Sequence, residues 1–365
     1  MAIRVLVISD YRKYHPTRGE AEIFKQLSRM GYDIYIMTFR EGRHIEEFEE
    51  SGIHILDFHP VKRMDRKEIQ YIRGQVQSIK PDIVYLFNSR SILNGIQAVK
   101  NLDVKVVLYR GLSANVQWYD PTMYLKFYHP CVDKIVCNSI GVEKAFLTQG
   151  KVNPKKLITI NKGHRVQWYE AYQPYPIREE LNILESTLLL INVAVNRKMK
   201  GIPYLLKAMA LLPENSNVHL LLIGSDMDDS KNMKIINGSK LENKVTILGY
   251  RKDALNIMAA CDVKILPSIS GESITKAVIE AMCLEVTPVI SDIPGNEELV
   301  EDGVSGIIFL SKNIEAIKGA IIKLEGDRVW CKTLGKKAKQ RVAGNLHIDQ
   351  TIEQTAQLFT SLFSG

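Results

Sequence analysis

Two stretches of the chain hold residue types at spacings that can do chemistry. The first is SISGESITKAVIEAM, residues 268–282, where Glu272 sits in a Gly-Ser loop and Glu280 on the helix expected to follow. A loop carboxylate can accept hydrogen bonds from vicinal hydroxyls, and the free N–H groups of Ser273, Ile274 and Thr275 at a helix start suit phosphate or sugar oxygens. Glu280, roughly a turn and a half into the helix, can reach a ribose diol. Read alone, the same residues describe an acid near an N-cap and one solvated helical glutamate. The second stretch is NRKMKG, residues 196–201, followed by IPYLLKAMALL. Arg197, Lys198 and Lys200 beside Gly201 at a helix N-terminus form a phosphate site, because cations there oppose the helix dipole unless an anion compensates them. A solvated basic loop is the alternative.

Other loops are weaker candidates. Residues 291–300, SDIPGNEELV, open a short helix with glycine and acids, and DGVSG (302–306) makes a tight turn. Asp226-Met227-Asp228-Asp229 contains a D-x-D that could hold a divalent metal; after an apolar strand it reads as a polar turn. In the first half, Asn88, Ser89, Arg90, Asn138 and the Asn161-Lys162-Gly163-His164 loop end strands and are acceptor-side candidates.

The elements that must position these loops alternate in one rhythm. Apolar runs at 3–9, 33–39, 54–58, 82–87, 105–110, 134–139 and 157–161 read as strands, several continuously apolar, as strands covered on both faces are. Between them lie helical patterns such as EAEIFKQLSRMG. The second half repeats this at 187–195, 218–224, 244–249, 263–267, 287–291 and 306–309. The alternation predicts an α/β chain of two Rossmann-like, doubly wound parallel-sheet domains facing across a cleft. The expected domains are 1–168 and 186–346, joined by a proline-containing linker at 169–185. An amphipathic segment at 347–365 is free to pack on either half.

The 365 residues exceed one typical core, which agrees with two domains. Five cysteines, Cys131, Cys137, Cys261, Cys283 and Cys331, lie mostly in apolar runs without C-x-x-C pairing, so buried reduced thiols are expected. The opening MAIRVLVISDYRKY reads as a strand rather than a leader, and no apolar run is long enough to span a bilayer, which implies a cytoplasmic protein. Residues 1–168 carry 26 Lys+Arg against 17 Asp+Glu, and the remainder 22 against 24. That excess suits anionic headgroups or an acidic glycan, with peripheral membrane contact as one outcome and an ordinary solvated surface as the other. No nucleic-acid-binding signature is present.

Taken in order, KILPSISGESITKAVIEAMCLEVTPVISDIPGNEELVEDGVSGIIF resembles the donor-binding signature of glycosyltransferase family 4, retaining enzymes of the GT-B fold. The match runs through Ser268, Glu272, Glu280, Ala281, Met282, Pro288, Val289, Gly295, Glu298, Asp302, Gly303 and Gly306. The upstream NRKMKGIPYLLKA resembles the family's Arg…Lys-Gly loop. The resemblance implies sugar transfer from a nucleoside diphosphate sugar to a glycan or lipid-linked hydroxyl, with retention, without metal and without cofactor. It assigns Arg197 and Lys200 to the leaving diphosphate, Glu280 to the ribose, and Glu272 with Ser273–Thr275 to the donor sugar. Tyr250 falls near the base. Lys276 stands in a stretch, Ser-Ile-Thr-Lys, that departs from the family's Gly-Phe-Gly. In the first half Gly19 stands where the family has a Gly-Gly loop after strand 1, and Arg110 where it often has a histidine. A GT-B-like sugar-nucleotide epimerase and a non-catalytic anion-binding protein remain as alternatives.

Overall fold

The computed structural model describes residues 2–239 and 241–363. Thirteen strands run through the described residues: β1 Arg4–Ile8, β2 Asp33–Thr38, β3 His54–Asp57, β4 Ile83–Leu86, β5 Lys105–Arg110, β6 Lys134–Cys137, β7 Leu157–Thr159, β8 Leu188–Val193, β9 Val218–Ile223, β10 Val245–Gly249, β11 Val263–Leu266, β12 Thr287–Ser291 and β13 Ile307–Phe309. Every expected strand is present, a residue or two shorter at some ends. They form two all-parallel sheets, ordered β3-β2-β1-β4-β5-β6-β7 and β10-β9-β8-β11-β12-β13. Strand order reverses at β1/β4 in the first and at β8/β11 in the second, and in sheets of this kind the crevice beyond such a reversal is where ligands bind.

The two compact units are 1–163 with 347–365, and 164–346. The first boundary falls five residues before the expected 168/169, because His164 hydrogen-bonds Leu346 within the second unit (N to O, 2.8 Å). The stretch expected as a linker is part of that unit. It holds a short helix, Ile177–Glu180, and Ile177 is fully buried against Leu189, Ile191, Leu221 and Ile223. The closing helix Ile348–Ser361 completes the first unit. Its Phe359 packs with Phe24 and Tyr85, and Tyr32 Oη donates to Ala356 O at 3.2 Å. Gly163 makes that return possible: a Cβ on it would overlap Ile348 Cα and His347 O, while its own N–H donates to Thr351 Oγ1 at 2.9 Å.

Alternation along each parallel strand sends side chains to both faces, and helices cover both. In the second unit Val263 and Ile265 join one core with the helix Ile202–Ala210. Leu266 joins the opposite core with Val278, Ile279 and Met282 of the helix Lys276–Cys283. All five cysteines are free thiols, four of them buried.

Candidate active site

The loops after β8 and β11 flank the strand-order reversal of the second unit. The β8 loop runs through a single 3-10 turn, Lys198–Lys200, into Gly201 at φ +66. Glycine is required there on two counts: the backbone is left-handed, and a Cβ would fall on the Pro267 carbonyl. The loops are further tied by Ile269 N to Met199 O, 2.7 Å. Lys200 is thereby brought onto Glu272, and its ammonium donates to Glu272 Oε1. Both side chains are largely buried, 19% and 10% exposed. The same carboxylate accepts from Ser268 Oγ at 2.7 Å and, through Oε2, from Thr275 Oγ1 at 3.3 Å. Ser268 is itself held by the next strand, Ser291 Oγ donating to Ser268 O at 2.6 Å.

The helix begins at Lys276, so Ser273, Ile274 and Thr275 form the turn before it, and Thr275 occupies the N-cap without a side-chain cap bond. The Thr275 hydroxyl also lies 3.1 Å from Asn296 Oδ1, its one proton shared between that oxygen and Glu272, which joins the 291–300 loop to the site. Glu280 pairs with Lys276 one turn earlier, and its side chain is 12% exposed. It is not the solvated helical residue that the isolated stretch allows. Tyr250, just beyond β10, is 75% exposed. Arg197 is exposed and forms no ion pair among the described residues. Asp229, directly after the D-x-D of Asp226 and Asp228, caps the helix Ser230–Gly238, accepting from Asn232 N at 2.8 Å, and Asp226 sits at φ 62. Those acids shape a turn.

One group of the second unit escapes the sequence reading. Lys264 of β11 is fully buried on the face under Lys276–Cys283, where its ammonium has a 3.4 Å contact to the Ile265 carbonyl. Burial pushes it down to about 7, the Lys200 charge adds to the effect, and Glu280 and Glu272 oppose it. The signal was present in the sequence: a lysine inside VKILP interrupts an otherwise apolar strand.

In the first unit the candidates are tied into the scaffold. Gly19, expected in a loop, lies within the helix Tyr14–Arg29 and is buried. Pro16 fits the first helical turn rather than ending it, and the missing Cβ lets the helix approach Gly163 O. Arg110 is spent on its own loop, donating to Leu112 O at 2.8 Å and to Ala114 O, with Phe127 beneath its guanidinium. Asn88 caps the helix Ser89–Val99 and lies 2.8 Å from His59 Nε2. Asn138 is buried beyond β6, its N–H on Arg110 O at 3.1 Å. His164, expected at the end of the first domain, is instead buried in the second unit, stacked on Tyr169 and edge-on to Trp168. Sequence reasoning missed His59, which burial pushes down to about 4. It also missed a small cavity, about 30 Å³, lined by Glu20, Phe24, Tyr85, Phe87, Tyr109, Lys162 and Thr351. Burial raises the Glu20 carboxyl above the usual carboxylate range.

Comparison with known proteins agrees with the fold. Residues 176–341 match the model described as Glycosyl transferases group 1, and 21–168 the model described as Glycosyltransferase Family 4. An uncharacterized glycosyltransferase of Methanocaldococcus jannaschii is 28% identical over 67% of this chain, which spans 62% of that relative's length. The Escherichia coli UDP-Gal:alpha-D-GlcNAc-diphosphoundecaprenol alpha-1,3-galactosyltransferase is 20% identical over 82% of this chain and 80% of its own. Anabaena HepE, solved in complex with UDP, superposes with a TM-score of 0.79 at 20% identity over 99% of this chain and 100% of its own. No helix of the described residues is long and apolar enough to cross a membrane.

Proposed function

Since the chain belongs to glycosyltransferase family 4 and has the two-domain GT-B fold, we propose that it transfers a sugar from a nucleoside diphosphate sugar to a hydroxyl of a glycan or lipid-linked acceptor, with retention, in the synthesis of a surface polysaccharide or glycoconjugate. The observation that carries this reading is the contact of Lys200 with Glu272 at the β8/β11 reversal. A loop cation and a loop carboxylate meet where a ligand with a diphosphate at one end and hydroxyls at the other would lie. The UDP complex of Anabaena HepE and the UDP-Gal donor in the name of the Escherichia coli relative support a uridine donor.

In this reading Lys200 and Arg197 neutralise the departing diphosphate, assisted by the N–H groups of Ser273–Thr275. Glu280 leaves Lys276 to take the ribose hydroxyls, Glu272 holds the donor sugar, and Tyr250 flanks the base. Stabilising the charge that develops on the leaving group is the main task, and preorganised cations and N–H groups perform it. No side chain is assigned as general base; the leaving phosphate takes the acceptor proton. Metal is not required in this scheme, so chelator should leave the rate unchanged. The basic 1–168 segment supports an acidic acceptor or peripheral attachment to the inner face of the membrane; anionic liposomes should retain the protein at low salt.

A thermal-shift series with UDP-, GDP- and ADP-sugars tests the donor assignment. One nucleotide class should raise Tm by several degrees at saturating concentration. If none of them does, the enzyme reading is wrong.

A further inference from the structure

We propose that the second unit carries a separate phosphoryl-binding recess, formed by Lys198, Lys207 and Lys231 with Arg197 at its rim. The recess measures about 370 Å³ and is also lined by Asn196, Pro203, Tyr204, Asp229 and Ile269. It lies against the helix Ile202–Ala210, which packs on the sheet face opposite the helix that carries Glu280. Lys200 and Glu272 do not line it. Of the three β8-loop cations, Lys200 turns to Glu272 and Lys198 lines the recess, while Arg197 at the rim is the one cation common to the recess and the proposed diphosphate site.

Charge is what marks the recess. Arg197, Lys198, Lys207 and Lys231 are exposed, and none has an ion-pair partner among the described residues. The single carboxylate among the described residues that line it, Asp229, is already engaged: it caps Ser230–Gly238 through Asn232 N at 2.8 Å and accepts from Asn196 Nδ2 at 2.9 Å. Four positive charges thus share one concavity with a neighbouring acid that is hydrogen-bonded elsewhere. Such a set repels itself until an anion enters, and it recognises a group bearing two or more negative charges. The walls are also fixed in advance. Asn196 Nδ2 donates to Asp226 O at 2.7 Å and Asn196 N to Ser225 O at 3.0 Å, which ties the β8 loop to the β9 loop. Ile269 N to Met199 O ties the third wall. Tyr204, Pro203 and Ile269 supply an apolar side, and the volume lies in the range of small-molecule pockets. A phosphoryl group, bare or on a sugar, fits this chemistry.

Isothermal titration of the UDP-saturated protein with inorganic pyrophosphate, and in two further arms with inorganic phosphate and glucose 1-phosphate, tests the recess. Pyrophosphate should bind despite UDP, and the double variant Lys207→Gln/Lys231→Gln should bind it at least ~10-fold more weakly while UDP affinity stays within twofold. Tighter binding of glucose 1-phosphate than of inorganic phosphate marks a phosphosugar site; equal binding marks a bare phosphoryl site. Absence of pyrophosphate binding, or equal binding by the double variant, overturns the proposal. So does a parallel loss of UDP affinity, which would place the donor diphosphate in the recess itself. Should UDP fail to bind at all, the donor reading falls, and the same titration without UDP still reports whether Lys207 and Lys231 hold pyrophosphate.

Discussion

Lys200 donates to the carboxylate of Glu272, 72 residues further along the chain, across the point where strand order reverses. The two loops that meet there are held by a backbone bond, Ile269 N to Met199 O, as well as by the ion pair. Under the proposed function the pair would open by exchange, a diphosphate taking the ammonium and a sugar hydroxyl the carboxylate, without the loops moving apart.

Lys200→Ala and Glu280→Ala should each lower sugar transfer at least ~10²-fold, as loss of an electrostatic group acting in the transition state does. Measured with the donor found by thermal shift, the lysine change should fall mainly on kcat. Near wild-type turnover in both variants would remove these assignments while leaving the fold intact.

Lys264→Met should stabilise the protein at neutral pH. The folded-state value near 7 lies below the ordinary 10.5, so between those limits the unfolded chain binds more protons and wild-type stability rises with pH. Below pH 7 the cost of the buried charge is present in full. The methionine variant escapes it, gaining on the order of 2–4 kcal/mol at pH 7 and progressively less toward pH 10.5. Urea titrations at pH 7 and pH 10 with the same gain at both would contradict this.

Gly201→Ala should cost roughly 2 kcal/mol or more, because it forces a left-handed non-glycine residue and pushes the Pro267 carbonyl away. Since the displaced loop carries Ser268 and Glu272, donor affinity should fall with stability. Unchanged Tm and unchanged donor affinity would show that the two loops do not depend on each other.

Phe359→Ala should cost about 3–5 kcal/mol, the range for a buried aromatic truncated to alanine. Phe359 is fully buried among Phe24, Tyr85 and neighbouring residues of the first unit. Hydrogen exchange should report the loss in residues 1–163 and leave 164–346 protected. Loss spread evenly over both would argue against the assignment of this helix.

The strands were legible in the sequence because a strand buried on both faces is written as a continuous apolar run, and each of these is short and bounded by turn residues. The β11 loop was legible for a related reason, since an ordered set of small and acidic residues must follow a buried strand at fixed spacing. What stayed hidden depends on packing across the chain. Pro16 and Gly19 look like breakers, yet one fits a first turn and the other a close approach to Gly163. His164 follows the last strand of one unit and is captured by Leu346 of the other unit. Arg110 and Asn88 have the chemistry of ligand contacts but satisfy backbone groups near their own positions. Propensity does not reveal such partners.

The return of residues 347–363 to the first unit has a consequence for biosynthesis. Residues 1–163 leave the ribosome without Leu358 and Phe359, and the face that receives them, with Phe24 and Tyr85, stays uncovered while 164–346 is translated. At about 5–20 residues per second that interval is roughly ten to forty seconds. The nascent first unit must survive it with an apolar groove open to whatever chaperone or membrane surface is nearby.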